Sequence, residues 1–176
     1  MHEDTGAPCA CGRGLRLVRC YDCFQLPLLC KDCWITVHKN NPLHWAHVWG
    51  EGGYSVKHDI SALGYTIPIG HEGDLCPTPG VPQSLIIAHV NSVHATQVSY
   101  CGCEKSSLRD KWTQLFIHDL CPSTVGNPQS CFTFPTMRQY TMLHYQCQIT
   151  PYNYMKSIRR QTNNVFTGDV PVSFDL

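Results

Sequence analysis

Between Cys9 and His44 the chain carries six cysteines and two histidines, a density of metal-ligating side chains that leaves few ways to fold. Two C-x-x-C pairs, Cys20/Cys23 and Cys30/Cys33, are preceded by the C-x-C pair Cys9/Cys11 and followed by His38 and His44. A C-x-x-C turn holds two thiolates about 4 Å apart, as two corners of a metal tetrahedron require. Eight such ligands close two four-coordinate zinc sites and leave no open position for catalysis. The chain has twelve cysteines, which in a secreted protein would read as disulfides. Its start, MHEDTGAPCA, lacks the basic and apolar regions of a signal peptide. A reducing intracellular setting is therefore expected, where clustered Cys and His mean metal.

Two pairings of the front ligands satisfy the sequence. Sequential pairing groups Cys9, Cys11, Cys20 and Cys23, then Cys30, Cys33, His38 and His44. A cross-brace groups Cys9, Cys11, Cys30 and Cys33, with Cys20, Cys23, His38 and His44 together. The connectors do not decide between them. The order of pairs, the LLCKDC segment and the closing histidines resemble a B-box zinc finger, which implies the cross-brace. In a B-box the last histidines are spaced H-x2-H, which would choose His44 and His47 and release His38. A segment this poor in aliphatic residues should not fold without its metal.

Arg13, Arg16 and Arg19 alternate loosely with Leu15, Leu17 and Val18, which predicts a short strand over 15–19 with a basic face, either solvated or set against phosphates. After Cys33, residues 34–38 are expected to turn helically. Gly50-Glu51-Gly52-Gly53 reads as a flexible joint and lacks the Gly-Lys-Ser/Thr ending of a phosphate loop. The expected organisation is a double-zinc module over 1–50 and a second part over 51–176.

In the second part, residues 60–69 predict a turn followed by a strand. Residues 84–90 and 93–100 flank Asn91-Ser92 as a β-hairpin with a two-residue turn. At the ends of these strands stand His71, Cys76, Cys101 and Cys103, a candidate third zinc site of one histidine and three cysteines. The bland alternative is a set of buried thiols beside an exposed histidine. Further on, Leu108, Trp112, Leu115 and Phe116 are helically spaced within Ser107–His118. A helix from Pro135 to about Cys147 is expected to turn Met137, Tyr140 and His144 inward. Thr150-Pro151 caps a last helix with Tyr152, Met155 and Ile158 inward and Lys156, Arg159 and Arg160 outward. Cys121, Cys131 and Cys147 lack paired spacing and read as core thiols. The fold class is α+β: a small zinc-stabilised module, B-box-like and cross-braced, then a zinc-tied β-hairpin segment and C-terminal helices.

Thirteen basic and thirteen acidic residues give a formal charge of zero. Nine thiolate charges against the six positive charges of three zinc ions would leave about −3. Such a body has no general pull on nucleic acid, so DNA contact requires a local patch. The apolar runs are too short to span a bilayer.

The segments RCYDCFQLPLLCKDCW, HKNNPLHWAHVW, ALGYTIPIGHEGDLCPTP, the YCGC pair, CPSTVGNPQSCFTF and YNYMKSIRRQTNN run in the order of a known family. Over residues 9–165 the chain resembles the CxC type 2-like cysteine cluster domain associated with KDZ transposases. That resemblance implies a zinc-binding domain preceding the RNase H-like core of large, mainly fungal mobile elements, with a nuclear role in recognising transposon DNA. Carried over, it supports Cys20, Cys23, Cys30, Cys33, His38, His44, His71, Cys76, Cys101 and Cys103 as ligands. Three departures stand out. The first pair is C-x-C rather than C-x-x-C, Ser92 replaces a turn glycine, and the chain ends where the catalytic core is expected to begin. Two functions compete: DNA binding through the arginine strand and the Lys156/Arg159/Arg160 helix, or docking of a protein partner or second copy through Trp34, Trp45 and Trp49. No motif supports an enzyme, a small-molecule substrate or membrane association.

Overall fold

The computed structural model describes residues 4–71, 75–103, 110–166, 168 and 170. It divides into two compact units, Met1–Ile67 and Pro68–Leu176.

The front unit is built on a three-stranded antiparallel sheet of β1 (Val18–Arg19), β2 (Ala46–Trp49) and β3 (Ser55–His58), in that order. One helix, α1 (Lys31–His38), starts immediately after Cys30. The hydrophobic core is small: Val18, Leu28, Trp34, Trp45, Ala46, Ile60 and Leu63. Cys9, Cys20, Cys30 and His38 are as deeply buried as those side chains, so ligand atoms occupy the place that aliphatic groups hold in an ordinary domain.

Three expectations change here. The strand forecast over 15–19 is only Val18–Arg19, because Leu15 bridges to Pro8 and the amide of Arg16 donates to the carbonyl of Ala7. That leaves Arg13 and Arg16 outside the strand. The glycine run at 50–53 is the turn of the β2–β3 hairpin, closed by the Gly50 amide donating to the Tyr54 carbonyl at 3.1 Å. The tryptophans expected as exposed anchors are not exposed: Trp34 is fully buried, Trp45 is 9% exposed and Trp49 is half-buried.

The second unit centres on a five-stranded sheet in the order β4-β6-β5-β8-β7. Its strands are β4 (Ile67–Ile69), β5 (Gln83–His89), β6 (Ser92–Tyr100), β7 (Leu120–Pro122) and β8 (Ser130–Thr133). Strand β5 is central, antiparallel to β6 and parallel to β8, which suits its unbroken Leu85–Ile86–Ile87–Ala88 run. Residues His89 and Ser92 pair, so the hairpin turn is Val90–Asn91 and not Asn91-Ser92. Ser92 is fully buried, and its hydroxyl donates to Asn91 Oδ1 at 3.0 Å, which draws it into the strand.

Among the described residues three helices complete the unit: α2 (Lys111–Ile117), α3 (Phe134–Cys147) and α4 (Pro151–Thr162). Of the helix forecast over Ser107–His118, residues 107–109 lie outside the described residues, and Asp110 is the N-cap. Thr133 caps α3 and Thr150 caps α4, each hydroxyl accepting the amide three residues on. The α3 forecast is out of phase, with Met137 and His144 exposed. The hydroxyl of buried Thr136 donates to the Ala88 carbonyl and fixes the inward stripe at Thr136, Tyr140 and Leu143. On α4 the inward tyrosine is Tyr154, whose hydroxyl donates to Gln139 Oε1 at 2.8 Å, while Tyr152 is 68% exposed. Tyr154, Met155 and Ile158 pack with Ala88, Val93 and Val170. Among the lone cysteines, Cys131 is fully buried, Cys121 half-buried and Cys147 exposed. Among the described residues no helix is long and apolar enough to cross a membrane.

Because Ile158 is 1% exposed in the cluster that joins α4 to the sheet, Ile158→Ala should destabilise the protein by about 2–5 kcal/mol. A urea midpoint unchanged within error would contradict this packing.

Candidate metal centres

Local turns bring the donors together in three groups of four. Cys9 and Cys11 lie on a tight turn in which the Gly12 amide donates to the Cys9 carbonyl, and Cys30 and Cys33 flank the start of α1. In each group the four ligand atoms all lie within 4.8 Å of one another. The groups are Cys9, Cys11, Cys30 and Cys33; Cys20, Cys23, His38 and His44; and His71, Cys76, Cys101 and Cys103. The front donors are thus arranged as alternate pairs. All twelve cysteines are free thiols.

Edge lengths test whether these groups fit a metal. With metal–sulfur bonds of about 2.3 Å and metal–nitrogen bonds of about 2.0 Å, the edges of a tetrahedron come to roughly 3.3–3.8 Å. In the first group Cys9 and Cys33 sulfurs lie 3.9 Å apart, and Cys11 and Cys30 sulfurs 3.4 Å. In the second, Cys23 Sγ is 3.3 Å from both His38 Nε2 and His44 Nδ1, and Cys20 Sγ is 3.6 Å from His44 Nδ1. In the third, Cys76 and Cys103 sulfurs are 3.5 Å apart, and His71 Nε2 is 3.2 Å from Cys101 Sγ. All three groups could hold a metal ion.

The surroundings orient the donors. His38 Nδ1 lies 2.9 Å from the Trp34 carbonyl, where it donates its proton and leaves Nε2 facing the sulfurs. Its ring stacks on Trp34 at 3.9 Å. His47 is not in the group. It lies on β2, edge-on to Tyr21.

The third group is more open, with His71 exposed and its cysteines half-buried. Residues of α2 and its C-cap hold it. Gln114, 1% exposed, accepts the Cys101 amide through Oε1 at 2.8 Å and donates Nε2 to the Cys101 carbonyl at 3.2 Å. The Gly70 amide donates to His118 Nε2 at 2.9 Å. One helix end thereby fixes both legs of the cluster, and nothing in the spacing of Gln114 or His118 announces it. Glycine is required twice here. Gly70 has φ +107° and a Cβ there would lie 2.8 Å from Cys101 Cβ, while a Cβ on Gly102 would meet the Thr78 carbonyl at 2.8 Å.

Four thiols packed this closely do not ionise alike. The amides of Cys11 and Cys30, directed at its sulfur, bring Cys9 down to about 6. The neighbouring Cys11 and Cys30 thiols push Cys33 up to about 12. Burial pushes Cys20 up to about 12. At Cys76 burial acts upward, but the Gly102 and Thr78 amides outweigh it and bring the thiol down to about 6. The first and third clusters are each primed with an easily formed thiolate, at Cys9 and Cys76, while a metal ion must displace protons from thiols such as Cys20 and Cys33.

The candidate nucleic-acid residues divide between two places. Arg13 is exposed and its amide donates to Cys11 Sγ at 3.5 Å. Arg16 and Arg19 are half-buried, with the Arg19 guanidinium 5.1 Å from the Tyr21 ring centre. On α4, Lys156 and Arg160 are exposed and Arg159 is half-buried.

A family model described as CxC2 like cysteine cluster associated with KDZ transposases matches residues 60–166. The third cluster lies inside that span and the first two lie before it. Nothing matches among curated proteins or among solved structures.

Two outcomes follow. Gly70→Ala should lower the melting temperature by an amount equivalent to about 1–3 kcal/mol and weaken metal retention at the third cluster alone. Since ligation displaces protons from Cys20 and Cys33, metal affinity should fall from pH 8 to pH 6 in competition with a chromophoric chelator. A flat or inverted pH dependence would contradict the proton-displacement account.

Proposed function

The chain belongs to the family of CxC2-like cysteine clusters associated with KDZ transposases, and from that premise we propose that it is a non-catalytic zinc-binding accessory domain that helps a transposase, or a descendant of one, recognise transposon DNA. The observation that carries this reading is the convergence of twelve ligand atoms into three four-donor clusters. Sets of four sulfurs, two sulfurs with two imidazoles, and three sulfurs with one imidazole suit zinc, whose filled d shell accepts tetrahedral thiolate coordination without redox chemistry. When bound, zinc supplies charge and fixed geometry. With four protein donors at each centre, its role is to hold backbone segments in place.

The residues of each cluster have separate duties. Cys20, Cys23, His38 and His44 join the β1–β2 region to the end of α1, and His71 and Cys76 are tied to the strand end that carries Cys101 and Cys103. Support for DNA as partner is the family's association with transposases together with the two cationic groups, Arg13/Arg16/Arg19 and Lys156/Arg159/Arg160. A nuclear location accompanies that role. The competing reading, a B-box-like docking module, has Trp34 and Trp45 in the core and Trp49 half-buried, and its remaining support is the zero formal charge together with Phe24, 91% exposed beside Cys23.

Metal analysis of protein purified without added zinc should return three zinc ions per chain. Two would remove the third centre, and none would remove the proposal. Binding to terminal-repeat duplex should weaken with salt, each phosphate contact contributing about 0.9 to the log–log slope. A slope near zero would favour the docking reading.

A further inference from the structure

Residues 120–168 contain no aspartate or glutamate, although the whole chain balances thirteen acids against thirteen bases. Within those forty-nine residues lie Arg138, Lys156, Arg159 and Arg160, and three of the four are on α4.

That helix has two unlike faces. Tyr154, Met155 and Ile158 are 4%, 6% and 1% exposed, and Thr162 Oγ1 accepts the Val93 amide at 2.8 Å, which pins the helix to the start of β6. Asn153, Lys156, Ser157 and Arg160 are exposed, at the i, i+3, i+4, i+7 spacing of a single outward stripe. Tyr152 stands beside them with Lys156 Nζ 6.0 Å from its ring centre.

A solvated helix end explains only part of this. Arg159 and Arg160 occupy the last turn, where the helix dipole favours cations. The same dipole favours carboxylates in the first turn, and α4 has none there. Lys156 sits mid-helix with no acid four residues away in either direction to form a stabilising pair. A face with cations, an amide and a hydroxyl, and no carboxylate, is complementary to a polyanion that presents hydrogen-bonding edges.

Resting on the DNA-recognition reading above, we infer that α4 is the helix that enters the major groove of duplex DNA. A helix with side chains is about 10–12 Å across, and the groove is about 12 Å wide. Asn153 and Arg160, both on the exposed stripe, read base edges, an adenine through the amide and a guanine through the guanidinium. Lys156 contacts a phosphate, and docking against β6 holds the helix in place before DNA arrives.

The test selects duplexes from a random pool with the full zinc-loaded chain, then compares variants on the selected duplex. Asn153→Ala and Arg160→Ala should each lower the preference for one base pair by roughly tenfold to a hundredfold. Lys156→Gln should leave the preference intact and reduce the salt slope by about 1. All three positions are exposed, so zinc content and melting should stay unchanged. The triple variant Arg13→Gln/Arg16→Gln/Arg19→Gln should bind more weakly and lower the salt slope while preferring the same base sequence. If the α4 variants select the same sequences with the same slope, α4 is not the reading helix, while DNA recognition stands. If the unaltered protein enriches no duplex at low salt, DNA recognition falls and this assignment with it.

Discussion

Sulfur atoms from distant parts of the front unit lie 3.4–3.9 Å apart, and thiols at that range have little reason to stay there unaided. Dispersion between a few sulfurs amounts to tenths of a kcal/mol per atom pair, and partial ionisation adds repulsion. A divalent cation reverses the sign. Structural zinc contributes on the order of 10–16 kcal/mol apparent, comparable to the net stability of a whole domain. The packing agrees: the aliphatic core is a handful of residues, and His38, Cys20, Cys30 and Cys9 are buried among them. The three-stranded sheet, with a first strand of two residues, is not an independent source of order.

The second unit has a different balance. Its five-stranded sheet has a central strand with the run Leu85–Ala88, and Ala88, Val93, Tyr154, Met155 and Ile158 form a cluster of ordinary hydrophobic character. There a metal would tie down an edge: the ends of β4 and β6, held from behind by Gln114 and His118. That difference gives the two regions separate consequences on metal loss. It also leaves α4, anchored through side chains that need no metal, free to present a fixed outward face.

Which side chains converge was the legible part of the sequence, because paired cysteine spacing brings thiols together directly. The grouping was legible only through the resemblance to a cross-braced B-box, since the connectors between pairs allow two arrangements, and the structure brings together the cross-braced sets. The helix cap at Thr150 and the hairpin over 83–100 were also readable, because each rests on local hydrogen bonding. Helix phase was less so: Tyr152 and Tyr154 are equally plausible inward residues until Gln139 supplies a partner for one hydroxyl. The tryptophans misled for a related reason, since an aromatic beside a metal ligand serves equally as anchor or as core, and Trp34 stacks on His38. Gln114 and His118 carry no sequence signal at all, because their roles come from the long-range pairing of α2 with Cys101 and Gly70.

The most direct test of metal-dependent folding is hydrogen exchange, residue by residue, before and after a strong chelator is added under reducing conditions. The account predicts that amides of residues 4–67 lose protection together while those of β5, β6, β8 and α4 keep most of theirs. Persistent protection across residues 4–67 in metal-free protein would show that side-chain packing alone holds the front unit, and would contradict it.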